Sequence, residues 1–309
     1  MNTKTKMILL IAAILVVILA LASPELLRMW RAEESISIGG KDFTEQSVVG
    51  EILAQLIEEK TDLRVERNLY LGGTMVCFNA LRGGDLDMYV EYTGTGLVNI
   101  LEKEALADSE EVLRIVRDEF SSRYDLEWLE PLGFNNTYTL TVRRDLAEEL
   151  ELETISDLRE KLNHDIVAGF NAEFLERPDG YPGLKEAYDM EFPESPRQMD
   201  TGLMYRACAQ GDVDVICAFS TDGRIEAYDL VVLEDDKNYF PPYYAAPLAR
   251  KETLDRHPEL REMLAMLAGA LDDAAMRELN YLVDREDDPL SPGAAARGFL
   301  VEKGLIASE

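Results

Sequence analysis

The sequence predicts an α/β protein of two lobes with a ligand cleft between them, and three observations lead there. Short apolar runs with strand character alternate with amphipathic helical stretches, the pattern of βαβ units around a sheet that is largely parallel. A glycine-framed stretch occurs twice: Gly84-Asp85-Leu86-Asp87, ending in Tyr92-Thr93, aligns without a gap with Gly211-Asp212-Val213-Asp214, ending in Phe219-Ser220. Finally, 309 residues with 47% hydrophobic content suffice for two cores. In each copy of the repeat a helix ends at a glycine, the chain turns through the Asp pair, and an apolar strand closes on an aromatic followed by a glycine-containing loop. Two ordinary αβ units with common turn chemistry would give the same repeat. In open α/β sheets, ligands sit at the carboxyl ends of strands.

In chain order, Ser35-Ile36-Ser37-Ile38 alternates as a strand and enters a loop, Gly39 to Phe43. Thr44 reads as the N-cap of a helix whose apolar face is Val48, Val49, Ile52, Leu53, Leu56 and Ile57. Gln46 falls in its first turn, where the amide can meet an anionic group or face water. A strand over Leu63 to Leu69 comes next, then a helix from Gly72-Gly73-Thr74 to Leu81, and the first copy of the repeat as the third strand. A helix from Ser109 to about Ser122 leads to strands at Leu126 to Leu132 and Thr137 to Val142. The pattern then restarts with a helix at Ser156 to Leu162, a strand at Ile166 to Phe170, helices near Leu184 to Tyr188 and Thr201 to Ala209, and the second copy. Tyr239 to Pro247 reads as a stiff aromatic loop held extended by Pro241-Pro242, either a packed crossover or a ligand contact. Pro258 to Ala307 is helical, with breaks near Pro289 and Pro292. The resulting division is a leader over residues 1–34, a first lobe begun by 35–132, a second lobe over 133–236, and a helical return to the first lobe over 237–309, with crossovers near Leu132 to Thr137 and Leu233 to Phe240.

The leader sets Lys4 and Lys6 before an apolar run from Met7 to Ala22, and Ala20-Leu21-Ala22 before Ser23 has the form of a signal-peptidase site. The run is short for a bilayer span of about 20 residues, so the sequence predicts export, with an uncleaved anchor as the alternative. No Cys follows it, which excludes a lipid-modified N-terminal Cys. Cys77, Cys208 and Cys217 are too few for a disulfide framework and read as buried thiols, a Cys208 to Cys217 bridge being the alternative. A net charge of −29, spread along the chain, repels phosphate backbones and argues against nucleic-acid partners. It fits solubility, and more weakly a cationic ligand.

Only His164 and His257 are available as histidine ligands or bases, and no phosphate-loop or dinucleotide motif is present. Neither a catalytic constellation nor a metal or cofactor is expected. What the chain does place at strand ends and loops is aromatic: Tyr92, Tyr138, Phe219 and Tyr243. A ring face attracts cations, and several rings together can hold a quaternary ammonium, which has no N–H to donate.

Several motifs in order, Lys41-Asp42-Phe43-Thr44-Glu45-Gln46, Leu71-Gly72-Gly73-Thr74, Asp87-Met88-Tyr89-Val90-Glu91-Tyr92-Thr93-Gly94-Thr95, Phe134-Asn135-Asn136-Thr137-Tyr138, Ser220-Thr221-Asp222-Gly223-Arg224-Ile225 and Phe240-Pro241-Pro242-Tyr243, resemble the substrate-binding proteins of osmoprotectant ABC importers, which bind glycine betaine, carnitine or choline. The resemblance covers nearly everything after Ser35. It implies the type II periplasmic-binding-protein-like fold, an interlobe aromatic box of Tyr92, Tyr138, Phe219 and Tyr243, and contacts from Gln46 and Thr95 to a ligand carboxylate. It further implies a monomer that hands its solute to a membrane permease and catalyses nothing. Phe219 departs from the Tyr frequent at that position, and the lipobox Cys of Gram-positive members is missing. An enzyme or an amino-acid-binding protein on the same two-lobed fold are the competing classes; the latter needs a carboxylate facing the substrate ammonium and an Arg for its carboxyl group.

Overall fold

The computed structural model describes residues 35–162 and 166–308; the leader and His164 lie outside them. The chain begins with β1 (Ser35–Gly39), α1 (Thr44–Lys60), β2 (Arg64–Asn68), α2 (Thr74–Gly83) and β3 (Met88–Tyr92). Next come α3 (Ser109–Tyr124) and β4 (Leu126–Trp128), which complete the first pass through one sheet. β5 (Tyr138–Arg143), α4 (Arg144–Leu150), α5 (Ile155–Glu160), β6 (Ala168–Phe170), α6 (Ala172–Glu176), α7 (Tyr181–Tyr188), β7 (Arg197–Gln198), α8 (Thr201–Gln210), β8 (Val215–Phe219), α9 (Arg224–Ala227) and β9 (Leu230–Val232) build around a second. The chain then returns through β10 (Ala245–Arg250) to α10 (Lys251–Arg256), α11 (Glu259–Ala265), α12 (Asp273–Asp284) and α13 (Pro292–Glu302).

Two five-stranded sheets result, in the orders β2-β1-β3-β10-β4 and β7-β6-β8-β5-β9. Four of the five strands in each sheet run the same way, as expected of a largely parallel sheet, and one strand in each is reversed. β10 runs antiparallel to β3 and β4, and β5 runs antiparallel to β8 and β9, because each enters its sheet directly from the other one instead of through a helical crossover. β10 also takes the end of the segment read as a loop. Pro247 sits inside it, its carbonyl accepting from Leu129 N just past the end of β4; its missing N–H would face Leu129 O, which accepts from Arg117 Nη2 instead.

On one face of the first sheet lies α1, with Val48, Val49, Ile52, Leu53, Leu56 and Ile57 all buried as their spacing requires, and α11, α12 and α13 pack against it. Phe78, Val112, Val116, Phe120 and Trp128 form the core of the opposite face. The N-cap of α1 is Phe43, not Thr44, whose hydroxyl instead donates to Asp284 Oδ1 across the domain at 2.6 Å.

The repeat has a structural meaning. α2 and α8 both end in a left-handed glycine, Gly84 with φ +86° and Gly211 with φ +78°, conformations costly for any residue with a Cβ. The second Asp of each copy then clamps the neighbouring parallel strand. Asp87 accepts from Ser37 N and donates its own N–H to Ser37 O, at 2.9 and 2.8 Å; Asp214 does the same with Val167, at 2.9 and 2.7 Å. After the aromatic, each copy supplies a hydroxyl that pins an intersheet crossover: Thr93 Oγ1 donates to Pro242 O and accepts from Tyr244 N, and Ser220 Oγ donates to Asn135 O and accepts from Thr137 N. The two crossovers are themselves bridged at Asn135 and Tyr244. Past Tyr92 the chain forms a helical turn, Thr93–Thr95, instead of the expected loop, and continues as a π-helix, Gly96–Ile100.

The three cysteines are free and buried. Burial pushes the Cys208 and Cys217 thiols up to about 12, and Cys217 Sγ lies 3.8 Å from the Met204 sulfur.

Candidate functional site

A cavity of about 420 Å³ opens where the carboxyl ends of β1, β3, β6 and β8 face one another, walled by residues of both sheets and of the two crossovers. Its apolar wall is aromatic. Phe43 and Phe219 stack with ring centroids 5.5 Å apart and planes parallel to within 1°. Tyr138 lies 5.2 Å from Phe219 and meets Tyr243 edge-to-face at 5.7 Å, while Tyr92 stacks on Phe43 at 6.4 Å. Tyr92 and Phe219 arrive as the final residues of β3 and β8, Tyr138 as the first of β5, and Tyr243 from the crossover.

Five of the six residues singled out from sequence, Tyr92, Thr95, Tyr138, Phe219 and Tyr243, line this one cavity. Gln46 does not. Its Oε1 accepts from Lys41 N at 3.2 Å, and its Nε2 donates to Val90 O and to the Tyr92 hydroxyl, both at 3.0 Å. A free amide at the first turn of a helix would suit an anion; this one is turned inward and tied to β3, behind the Tyr92 ring. The expectation that it directly contacts a ligand carboxylate is therefore corrected to a supporting position.

The two cations that line the cavity are paired. Lys41 Nζ lies 2.6 Å from Glu91 and 5.0 Å from the Tyr92 ring centroid. Arg177 is buried, forked onto Asp179 at 2.8 and 2.6 Å, and donates from Nη1 to Thr95 Oγ1 at 3.2 Å. Its guanidinium stands 5.6 Å from the Tyr138 centroid and 5.9 Å from that of Tyr243, whose hydroxyl also donates to Asp179. Sequence reasoning had no role for Arg177, Lys41 or Phe43. For Lys41 and Phe43 a signal was there to read, since both stand in the loop after a strand whose end faces the cavity; Arg177 left none. Asn136 was also missed; its Nδ2 donates to Glu45 at 2.8 Å, and among the described residues its Oδ1 has no partner.

Glu45 joins the parts. Its buried carboxylate accepts from the Tyr92 hydroxyl at 2.6 Å, from Asn136 in the first crossover, from Thr221 after β8, and from Asn280 of α12 at 3.2 Å. Burial pushes this carboxyl above its ordinary value of 4.5, and those hydrogen bonds pull it only part of the way back. The native state thus holds the Glu45 proton more tightly than the unfolded chain does. Stability from this group is greatest below pH 4.5 and declines as pH rises through the raised native value. In urea unfolding across pH 4 to 8, the stability of the wild type relative to Glu45→Gln should fall with rising pH; a rising or flat difference would exclude this account.

The chain matches, over residues 34–302, the model of the substrate binding domain of the ABC-type glycine betaine transport system. It is 40% identical over 280 residues to a carnitine transport binding protein of Listeria monocytogenes, covering 90% of this chain and 86% of that one. To a glycine-betaine-binding protein of Pseudomonas aeruginosa it is 36% identical, with 88% and 89% covered. Among solved structures, that of a glycine betaine/carnitine/choline ABC transporter superposes with a TM-score of 0.72 at 33% identity, spanning 87% of this chain and 99% of the other. Together with the paired sheets and the cavity at their facing ends, these likenesses place the chain in the family of substrate-binding proteins of ABC-type glycine betaine transport systems.

Proposed function

We propose that the protein captures a quaternary ammonium solute outside the cytoplasm, in the class of glycine betaine, choline and carnitine, and delivers it to the permease of an ABC importer. The ring cluster carries this proposal. A trimethylammonium group cannot be fixed by N–H donors, so its recognition falls to ring faces, each worth about 0.5–2 kcal/mol when water is excluded. Tyr92, Tyr138, Phe219 and Tyr243 form the box, with Phe43 as a fifth ring. The Arg177 guanidinium, 5.6 and 5.9 Å from two of those rings, marks where the site stabilises positive charge. Lys41 and Thr95 offer donors to a ligand carboxylate, and Gln46 acts by holding Tyr92.

The protein acts as a monomer and by binding alone, its lobes closing about the crossovers so that water leaves the box. The leader exports it; N-terminal sequencing beginning at Ser23 would establish cleavage, and an intact leader in the membrane fraction would establish anchoring. One observation favours the amino-acid reading: Arg177 and Glu173 stand on the same wall. Against it, Arg177 is already forked onto Asp179.

Calorimetric titration with glycine betaine, choline, carnitine and 3,3-dimethyl-1-butanol, the uncharged carbon isostere of choline, tests the proposal. At least one quaternary compound should bind, and choline should bind at least about tenfold more tightly than its isostere, as loss of a cation–π contribution of one or two rings requires. Equal affinity for the charged and uncharged compounds would remove the box from the account.

A further inference from the structure

Glu173 lies in the first turn after β6 and reaches across the cavity to the other sheet. Its Oε1 accepts from Thr74 N, the first residue of α2, at 2.6 Å, and its Oε2 stands 3.4 Å from Thr74 Oγ1 and 3.9 Å from Arg177 Nη1. Thr74 Oγ1 in turn accepts from Lys41 Nζ at 3.0 Å. Gly73 makes room for this carboxylate, since a Cβ there would lie 2.4 Å from Glu173 Oε1. The end of the cavity with the donors suited to a ligand carboxylate therefore already holds a carboxylate of the protein. Neither cation is in surplus: Lys41 is matched by Glu91 and Arg177 by Asp179, so Glu173 adds an uncompensated negative charge to a lining that also carries Asp42 and Asp200.

We propose that Glu173 determines specificity in this site, favouring a quaternary ammonium alcohol, cationic overall, over a quaternary ammonium carboxylate. This rests on the quaternary ammonium function proposed above and deepens it. A ligand carboxylate is an acceptor only, so near Glu173 it has nothing to donate and is repelled; an alcohol hydroxyl donates to Glu173 Oε2 and leaves the Thr74 contact in place. The ring box holds the ammonium in both cases and does not discriminate.

Titration of the protein purified from cells that export it, with choline and with glycine betaine at fixed ionic strength, tests the inference on the wild type, Glu173→Gln and Glu173→Asp. The wild type should prefer choline by at least about tenfold, the order expected for one partly screened like-charge contact. In Glu173→Gln the two affinities should move in opposite directions, choline weakening severalfold and betaine tightening, so that the preference shrinks by about tenfold or reverses. Glu173→Asp keeps the charge but shortens the arm; it should retain most of the discrimination, separating charge from the Thr74 contact. A wild type that prefers glycine betaine, or a Gln variant in which both affinities shift by the same factor, overturns the inference while leaving the quaternary ammonium function intact. If the wild type binds neither compound, the inference falls, and titration with carnitine decides whether the quaternary ammonium function falls with it.

Discussion

Arg177→Met should cost the protein about 3–5 kcal/mol of stability, because it leaves Asp179 buried without its counter-ion. Asp179 would keep only the Tyr243 hydroxyl, 2.7 Å away, as a side-chain donor among the described residues. The same change removes the guanidinium from the faces of Tyr138 and Tyr243 and its bond to Thr95 across the cavity. Urea unfolding monitored by circular dichroism measures the loss. The double variant Arg177→Met/Asp179→Leu should recover much of it, since replacing both members of a buried ion pair with apolar groups is often neutral, whereas stranding one is not. A loss below about 1 kcal/mol in the single variant would mean that water reaches Asp179, and the pair would then be a surface contact.

Tyr138→Ala should be nearly as damaging to the fold and more damaging to binding. The ring touches Phe174 at 5.0 Å, Phe219 at 5.2 Å, Tyr243 at 5.7 Å and Phe240 at 6.3 Å, so its loss opens a cavity at the centre of the cluster. Truncating a buried aromatic typically costs about 3–5 kcal/mol of stability. Affinity for a trimethylammonium ligand should fall by a further ~1–3 kcal/mol, the combined loss of ring face and packing. Tyr138→Phe keeps the face and should cost far less on both counts. Comparing the three proteins by thermal melting and calorimetry separates the effects: unchanged affinity in a folded Ala variant would remove Tyr138 from the box.

How far the sequence led depends on which interactions leave a periodic trace. The face of α1 was legible because burial on a helix recurs at fixed spacing, and Gly84 and Gly211 because a left-handed helix end strongly favours glycine. Tyr92 and Phe219 were legible as cavity residues because a strand end delivers its last side chain to a known place, and Tyr138 and Tyr243 through the family resemblance. Gln46 was misplaced for a physical reason. Its position in the first helical turn was read correctly, but rotamer and neighbours decide where an amide points, and here Val90 O and Tyr92 were the better partners. The direction of β10 and β5 was hidden because strand polarity depends on connectivity in space, which residue alternation does not encode. Arg177 and Asp179 stand in a loop, where burial has no period; nothing local distinguishes a buried fork from a solvated ion pair.

Thr93 and Ser220 tie each crossover to the residue beside a cavity aromatic, so the proposed hinge and the proposed recognition surface share a chassis. A rotation of one lobe on the other must carry the Tyr92 and Phe219 rings along with the strands about which it turns. On the proposed closure, grip and motion are mechanically geared: a solute seated between the rings would bear directly on the crossovers. Evolution of a new ligand preference at the rings would for the same reason retune the rates of opening and closing, and a transporter timing its cycle by those rates would register the change without touching the solute.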